Sequence, residues 1–387
     1  MRLLIVTPSF LPDVGGVSRS LERIVPMLGG NADDVTVCCV REGMEFTLGL
    51  PHEVQVQECR FRLVEGFYEA LPGVDGGSGY QVIQMRRLLE SVLDGGSPDL
   101  VHLFYAGKVA FAAALECSQR GVPFLTSCRG SDIGLGLARP ERHRLLEVVL
   151  TRAAHITFVS REMLDNVSLI WPQLAPKCTV VYNSFAQHLY DPVDSGSVDG
   201  EPIVGTVATS GEKKGIRQLL RALSGINCQL ELLGNAASIR AELSYASELG
   251  VRVLVSAIQP KEVLRHYQTW HCFVQASPHE GCPNSLLEAI YAGVPIVCTA
   301  TGAARDLIED GKNGLLVPCH NAEAIGMAVR WMLEHRTEAL AMAAAAKGIL
   351  SDQCSPDREC RAWRRAYLDC LQHADGTAGQ QRDIGAE

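Results

Sequence analysis

The chain has 387 residues, of which 47% are hydrophobic, and carries a formal charge of −9. That length exceeds what one core organises and sets two domains of roughly 180 residues as the expectation, with apolar content sufficient for two cores. The acidic balance argues against a general nucleic-acid binder, which needs a basic surface to neutralise phosphates.

Met1-Arg2 runs directly into Leu3–Val6, an apolar run too short for a signal sequence and ended by Thr7-Pro8, so it reads as a first strand. Pro12-Asp13-Val14-Gly15-Gly16-Val17-Ser18 follows, ahead of a helical pattern over Val17–Leu28. Gly15 and Gly16 let a backbone approach a ligand closely and the helix start adds its dipole, although a plain strand-helix turn uses glycine as readily. The motif is not Gly-x-Gly-x-x-Gly, which argues against a nicotinamide cofactor.

Further aliphatic runs at Asp34–Val40, Leu100–Leu103, Phe124–Ser127, Ile156–Val159 and Thr179–Tyr182 alternate with helical stretches such as Gln81–Leu93. That order predicts a parallel sheet wrapped by helices. His102 and Lys108 fall at and after one of these strands, where a substrate wall forms; for His102 the alternative is a core histidine. Ser127-Cys128-Arg129-Gly130-Ser131-Asp132 follows another strand, at the edge where open α/β sheets take ligands. Arg129 is permanently charged and cannot act as a general base. Asp132 is suited to cap the next helix.

The fourteen cysteines include no Cys-x-x-Cys pair, and many, among them Cys38, Cys39, Cys178, Cys272 and Cys298, sit in apolar runs. They read as buried, reduced thiols of a cytoplasmic protein rather than a disulfide framework or a metal site. Ser184 to Pro202 turns polar and aperiodic and reads as a linker.

A second series of strands follows at Ile203–Val207, Cys228–Leu233, Val251–Val255, Cys272–Gln275 and Pro295–Cys298. Lys214 lies after the first of them, in Glu212-Lys213-Lys214-Gly215, a position that favours a phosphate role. In the run from His279 to Val297, Gly281 and Pro283 make a tight loop. Asn284 or Ser285 is suited to cap a helix from about Ser285 to Ala292, which Gly293 and Pro295 end. Free N–H groups and dipole at such a junction attract phosphate. Glu280 then precedes the phosphates, and Glu288, one turn inside, is placed to accept hydrogen bonds from a diol such as a ribose. The plain alternative is a capped surface helix with two solvated carboxylates.

These residues resemble the signature of family 4 retaining glycosyltransferases with the GT-B fold. The resemblance extends to Met1–Ser20, Ser127–Asp132, Gly205–Gly215 and Thr301–Pro318, in the family's order and over nearly the whole chain. It implies two doubly wound Rossmann-like domains facing across a cleft, with a C-terminal helix crossing back to the N-domain. The expected boundaries are 1–185 for the acceptor-side domain, 186–201 for the linker, 202–357 for the nucleotide-sugar domain, 358–371 for the crossing helix and 372–387 for a disordered tail.

The resemblance also implies that Gly15 and Gly16 reach the donor diphosphate or acceptor. The loops at Gly234 and Ile258 would hold the base through main-chain groups, which leaves uracil, guanine and adenine open. Glu280, Gly281, Cys282, Pro283, Asn284, Ser285, Leu286 and Glu288 would line the donor site, and His102, Lys108, Arg129 and Asp132 the acceptor side. Many members carry histidine where Arg129 stands. The arginine usual upstream of Lys214 is replaced by Ala208-Thr209-Ser210-Gly211, so Arg129 or Arg305 would supply that charge.

The expected activity is retaining, metal-independent transfer of a sugar from a nucleoside diphosphate to an acceptor, with Glu280, Lys214 and Arg129 in the catalytic roles and no cofactor beyond the donor. A sugar-nucleotide epimerase and a catalytically silent binder are the alternatives, the latter favoured by the absent arginine. No run approaches the roughly 20 apolar residues of a membrane span. Arg139, Arg142, Arg144 and Arg152 around Leu145–Leu150, interrupted by Glu141 and Glu147, suggest at most weak peripheral contact with the inner membrane face.

Overall fold

The fold is described from a computed structural model, which covers residues 1–13, 15–29, 34–45, 47–49, 52–56, 59–69, 79–191, 200–208, 213–257 and 261–383. The chain divides into two units, Met1–Val181 with Glu359–Glu387, and Tyr182–Arg358. The division at 181/182 comes earlier than the linker expected at 186–201. Residues 182–191 belong to the second unit, while 192–199 lie outside the described residues.

The first unit holds β1 (Arg2–Thr7), β2 (Asp34–Gly43), β3 (Thr47–Leu48), β4 (His52–Val56), β5 (Cys59–Glu69), β6 (Leu100–Phe104), β7 (Phe124–Cys128), β8 (His155–Phe158) and β9 (Cys178–Val180). They form one sheet in the order β3-β5-β2-β1-β6-β7-β8-β9, with β4 beside β5. From β5 through β9 the pairs are parallel. The aliphatic runs form these strands because helices cover both faces, so continuous apolar sequence is buried. β3, β4 and β5 escape a search for such runs. In β5, buried Phe61 and Leu63 alternate with exposed Arg60 and Arg62, and β3 and β4 pair with it antiparallel at the sheet edge.

The second unit holds β10 (Ile203–Ala208), β11 (Gln229–Gly234), β12 (Arg252–Ser256), β13 (Cys272–Gln275), β14 (Ile296–Thr299) and β15 (Leu315–Val317). Its order is β12-β11-β10-β13-β14-β15, all parallel. In both sheets the strand order reverses beside the unit's first strand, between β1 and β6 and between β10 and β13. At such a switch point adjacent loops diverge and open a crevice at the carboxyl ends of the strands.

The final helix is longer than expected. It runs from Pro356 to Asp383 and so takes in residues read from sequence as a tail. Trp363, Tyr367 and Cys370 enter the core of the first unit with Leu3, Ile5, Phe10 and Leu125. Buried Arg23 donates through Nε to Glu359 Oε2 at 2.8 Å and through Nη2 to Oε1 at 3.1 Å. Two parallel bonds of this kind fix orientation as well as position. The basic helix Pro140–Arg152 buries Leu146, Val149 and Leu150 in the protein, so the apolar stripe that membrane docking requires is turned inward. Among the described residues no helix is long and apolar enough to cross a membrane. Burial pushes the thiols of Cys38, Cys39 and Cys272 up to about 12.

Candidate active site

In the second unit the loops that diverge at the switch point carry Lys214, after β10, and Glu280, after β13. Gly215, at φ +64°, brings them together. A Cβ there would lie 2.1 Å from Ala276 O, so only glycine lets one loop pass against the other. Lys214 Nζ donates to Glu280 Oε1 at 2.6 Å, with side-chain exposures of 26% and 13%. The opposite face of the Glu280 loop is set by Gly302, at φ +53°, where a Cβ would lie 2.3 Å from Gly281 O and 2.4 Å from Glu280 O. Ala303 N donates to Gly281 O at 2.7 Å. Residues 280 and 281 are therefore held by the backbone following β14.

The helix that follows spans Asn284–Ala292 and is capped by Pro283, with no side-chain cap. The expected caps are a misassignment. Asn284 uses Oδ1 to accept from buried Asn183 Nδ2 at 3.1 Å, and the same Nδ2 donates to Cys282 O at 2.6 Å. Ser285 stands in the first turn, with its carbonyl oxygen 3.2 Å from Tyr267 Oη. Leu286 is fully buried and anchors the turn. The helix ends as expected at Gly293, in the left-handed region.

Glu288 is only 7% exposed. Tyr190 Oη donates to its Oε1 and Tyr267 Oη to its Oε2, each at 2.8 Å. The reading as a solvated surface carboxylate is excluded, and the two phenols are a feature that sequence reasoning missed. Gly234 has a structural reason of its own, because a Cβ there would lie 2.1 Å from Ala208 O on the neighbouring strand. Glycine is needed there by sheet packing, whatever approaches the loop. Ile258 and residues 209–212 lie outside the described residues.

In the first unit, Pro8, Glu42, Tyr68, Tyr105, Lys108 and Arg142 are among the residues around a cavity of about 320 Å³ at the carboxyl ends of the strands. Lys108 opens the helix Lys108–Arg120. Gly15 and Gly16 start the helix Gly16–Gly29, and a Cβ at either would meet nothing within 4 Å. Their glycine character is not demanded by local packing. The segment before them is pinned by Arg41, which donates to Asp13 Oδ2 at 3.0 Å, Phe10 O at 2.8 Å and Leu11 O at 3.2 Å, and also pairs with Glu65.

Two acceptor-side assignments are corrected. His102 is wholly buried. Its Nδ1 lies 2.9 Å from Tyr367 Oη and its Nε2 lies 2.6 Å from Ser127 Oγ, which in turn lies 2.8 Å from Thr157 Oγ1. Burial, with a smaller contribution from Arg129, holds its pKa down to about 3, so it is a neutral core residue that no substrate reaches. Asp132 borders the cavity but spends its oxygens on the backbone N–H groups of Ala106, Arg129, Gly130 and Ile133, at 2.8 to 3.0 Å. Burial raises its pKa against these donors, and Gly130, not Asp132, stands at the cap position of the helix Ser131–Ala138. Arg129 is half-buried, with Nη2 donating to Ser20 Oγ at 2.9 Å and the guanidinium 4.6 Å from the Phe104 ring centroid.

Comparison with known proteins accords with this arrangement. Residues 15–184 match the glycosyl transferase 4-like domain and residues 191–348 match glycosyl transferases group 1. A GDP-mannose-dependent alpha-mannosyltransferase of Mycolicibacterium smegmatis is 25% identical over 87% of this chain and 90% of its own length. One of the same description from Corynebacterium glutamicum is 24% identical over 99% of this chain and 91% of its own. Among solved structures, sucrose-phosphate synthase from Thermosynechococcus elongatus shares the fold with a TM-score of 0.78 at 18% identity, covering 96% of this chain and 100% of that one. Anabaena HepE in complex with UDP and glucose gives 0.73 at 15%, covering 95% and 99%. These relatives support sugar transfer over the epimerase and silent-binder readings. With both sheets doubly wound, the final helix returned to the first unit and both halves matched in order, the chain belongs to the family 4 glycosyltransferases of GT-B fold, which use nucleotide-sugar donors.

Proposed function

We propose that the protein transfers mannose from GDP-mannose to an acceptor hydroxyl with retention of anomeric configuration and without a metal ion. The observation that carries the donor site is the meeting of Lys214, Glu280 and the start of the helix Asn284–Ala292, which no side chain caps, at one switch point. The ammonium and the first-turn N–H groups stabilise charge on the departing diphosphate. Glu280 holds hydroxyls of the donor sugar, and Glu288 takes the ribose. The names of the actinobacterial relatives favour GDP-mannose among the bases left open by the residues.

The acceptor occupies the cavity of about 320 Å³ in the first unit, with Lys108 and Arg142 in its wall. The acceptor oxygen attacks the face of the anomeric carbon that the diphosphate leaves. A new C–O bond replaces the old one, and the acceptor proton passes to a departing phosphate oxygen. Lys214 and the start of the helix Asn284–Ala292 provide fixed positive charge, which supports a site run without a metal ion. No cofactor beyond the donor enters this scheme.

Thermal unfolding in the presence of GDP-mannose, UDP-glucose and ADP-glucose tests the donor, since a ligand at 100 times its Kd adds about 2.7 kcal/mol. Stabilisation by GDP-mannose is expected, and a response to another donor alone overturns the choice of base. Transfer should survive EDTA and yield the retained anomer by NMR. Activity lost to EDTA and restored by manganese, or an inverted product, overturns the mechanism.

A further inference from the structure

Glu288 is buried with a phenol on each oxygen, and that arrangement restricts what else it can bind. An ionised carboxylate offers about two acceptor directions per oxygen. Tyr190 Oη occupies one on Oε1 and Tyr267 Oη one on Oε2, both at 2.8 Å. One direction per oxygen is left, in the plane of one rigid group. Two adjacent hydroxyls donating side by side fill such a pair, whereas one hydroxyl leaves a buried acceptor unmet.

Both phenols are themselves fixed. Tyr267 is fully buried, ends the helix Val263–Tyr267 and packs 4.4 Å from the Trp270 ring. On either side of it, His266 Nδ1 lies 2.8 Å from Glu231 Oε1 and Trp270 Nε1 donates to Glu231 Oε2 at 2.7 Å, while Ser256 Oγ donates to Oε1 at 2.7 Å. Glu231 is buried in β11 and grips the turn on both flanks of Tyr267. Tyr190 stacks 5.0 Å from Phe185, which stacks 4.3 Å from Tyr291 on the helix that carries Glu288.

We propose that Tyr190 and Tyr267 are positioning residues that orient the Glu288 carboxylate for a vicinal diol and thereby set the preference for ribose over deoxyribose in the donor. The inference rests on the reading of Glu288 as the ribose ligand. Losing either phenol frees the carboxylate to turn, so it no longer presents both oxygens to the two hydroxyls and the added grip on the ribose is lost.

Calorimetric Kd values for GDP and 2′-deoxy-GDP, with UDP and 2′-deoxy-UDP in parallel, test it on the full chain and on Tyr190→Phe, Tyr267→Phe and Glu288→Gln. The wild type should prefer the ribonucleotide by about tenfold or more, the value of a hydrogen bond to a charged group. Each phenylalanine variant should lose most of that preference by weakening the ribonucleotide, with the deoxynucleotide nearly unchanged. A merely structural role would weaken both equally. Should Tyr267→Phe fail to fold, Tyr190→Phe at the half-buried site decides. Phenylalanine variants that keep the wild-type ratio while Glu288→Gln loses it overturn the positioning role and leave the Glu288 reading standing. A Glu288→Gln variant that keeps the ratio, or a wild type without preference, overturns both.

Discussion

Lys214 Nζ and Glu280 Oε1 lie 2.6 Å apart although 66 residues separate them in the chain. The pair joins the group assigned to the leaving phosphates with the group assigned to the sugar, so each alters the charge the other presents. Glu280→Gln should lower turnover by roughly 10²-fold or more while nucleoside diphosphate affinity holds or improves, because the freed ammonium turns to phosphate. Lys214→Met should weaken nucleoside diphosphate more than nucleoside. Equal losses for sugar nucleotide and bare nucleotide in Glu280→Gln would place Glu280 on the nucleotide instead.

Gly302 presses on the loop that bears Glu280. Gly302→Ala adds a Cβ 2.3 Å from Gly281 O at a backbone angle that alanine disfavours, so the loop must shift. Turnover should fall by about 10²-fold, the scale of an ångström's misplacement at a reacting centre, with a stability loss of roughly 1–3 kcal/mol. Wild-type kcat in this variant would show that the loop position is unimportant.

Gly16→Ala makes the opposite case. Among the described residues, and apart from its own helix backbone and chain neighbours, no atom lies within 4 Å of the added Cβ. Alanine also suits a helix start at least as well as glycine, so thermal stability should be unchanged or raised by a few tenths of a kcal/mol. If the glycines exist for ligand approach, KM for donor or acceptor should rise severalfold. An unchanged KM would return this turn to a plain strand-helix connection.

Buried histidines give the first unit a defined acid sensitivity. Burial holds His102 at about 3 and His155 at about 4, against 6.5 for each unperturbed group. Both are neutral in the fold, while the unfolded chain takes up their protons below pH 6.5. Their stability contribution is therefore present above 6.5 and is lost as pH falls below it, by up to about 1.4 kcal/mol per unit for each histidine, until the folded values are reached. Trp363 has its ring centroid 5.0 Å from that of His102, so its fluorescence reports the unit during urea unfolding between pH 7 and 5. His102→Gln should remove its share of the slope; an unaltered slope would contradict the assignment.

The two α/β units and the helix at 284–292, with Glu280 before it and Glu288 inside it, are readable from local patterning. Aliphatic runs, Gly293 and Pro295 act over a few residues, and each such signal survives in the linear chain. The same local logic misplaced the caps at Asn284 and Asp132. A side chain's choice between its own helix start and a distant partner is decided by what folding brings near, here Asn183 for the first and the Ala106 backbone for the second.

Position in the parallel sheets explains the rest. Strand order places the loops after β10, β13 and β14 side by side, and glycines at 215 and 302 admit them to van der Waals contact, which no spacing in the sequence encodes. His102 illustrates the limit most plainly: from sequence, a histidine inside an apolar run is open to reading as ligand or as core. Only the returning helix, with Tyr367 on one ring nitrogen and Ser127 on the other, removes it from solvent and makes it part of the scaffold. Periodicity and turn chemistry act between neighbours in sequence, whereas burial and partnership depend on which distant elements pack together, and that is settled only when the sheets close.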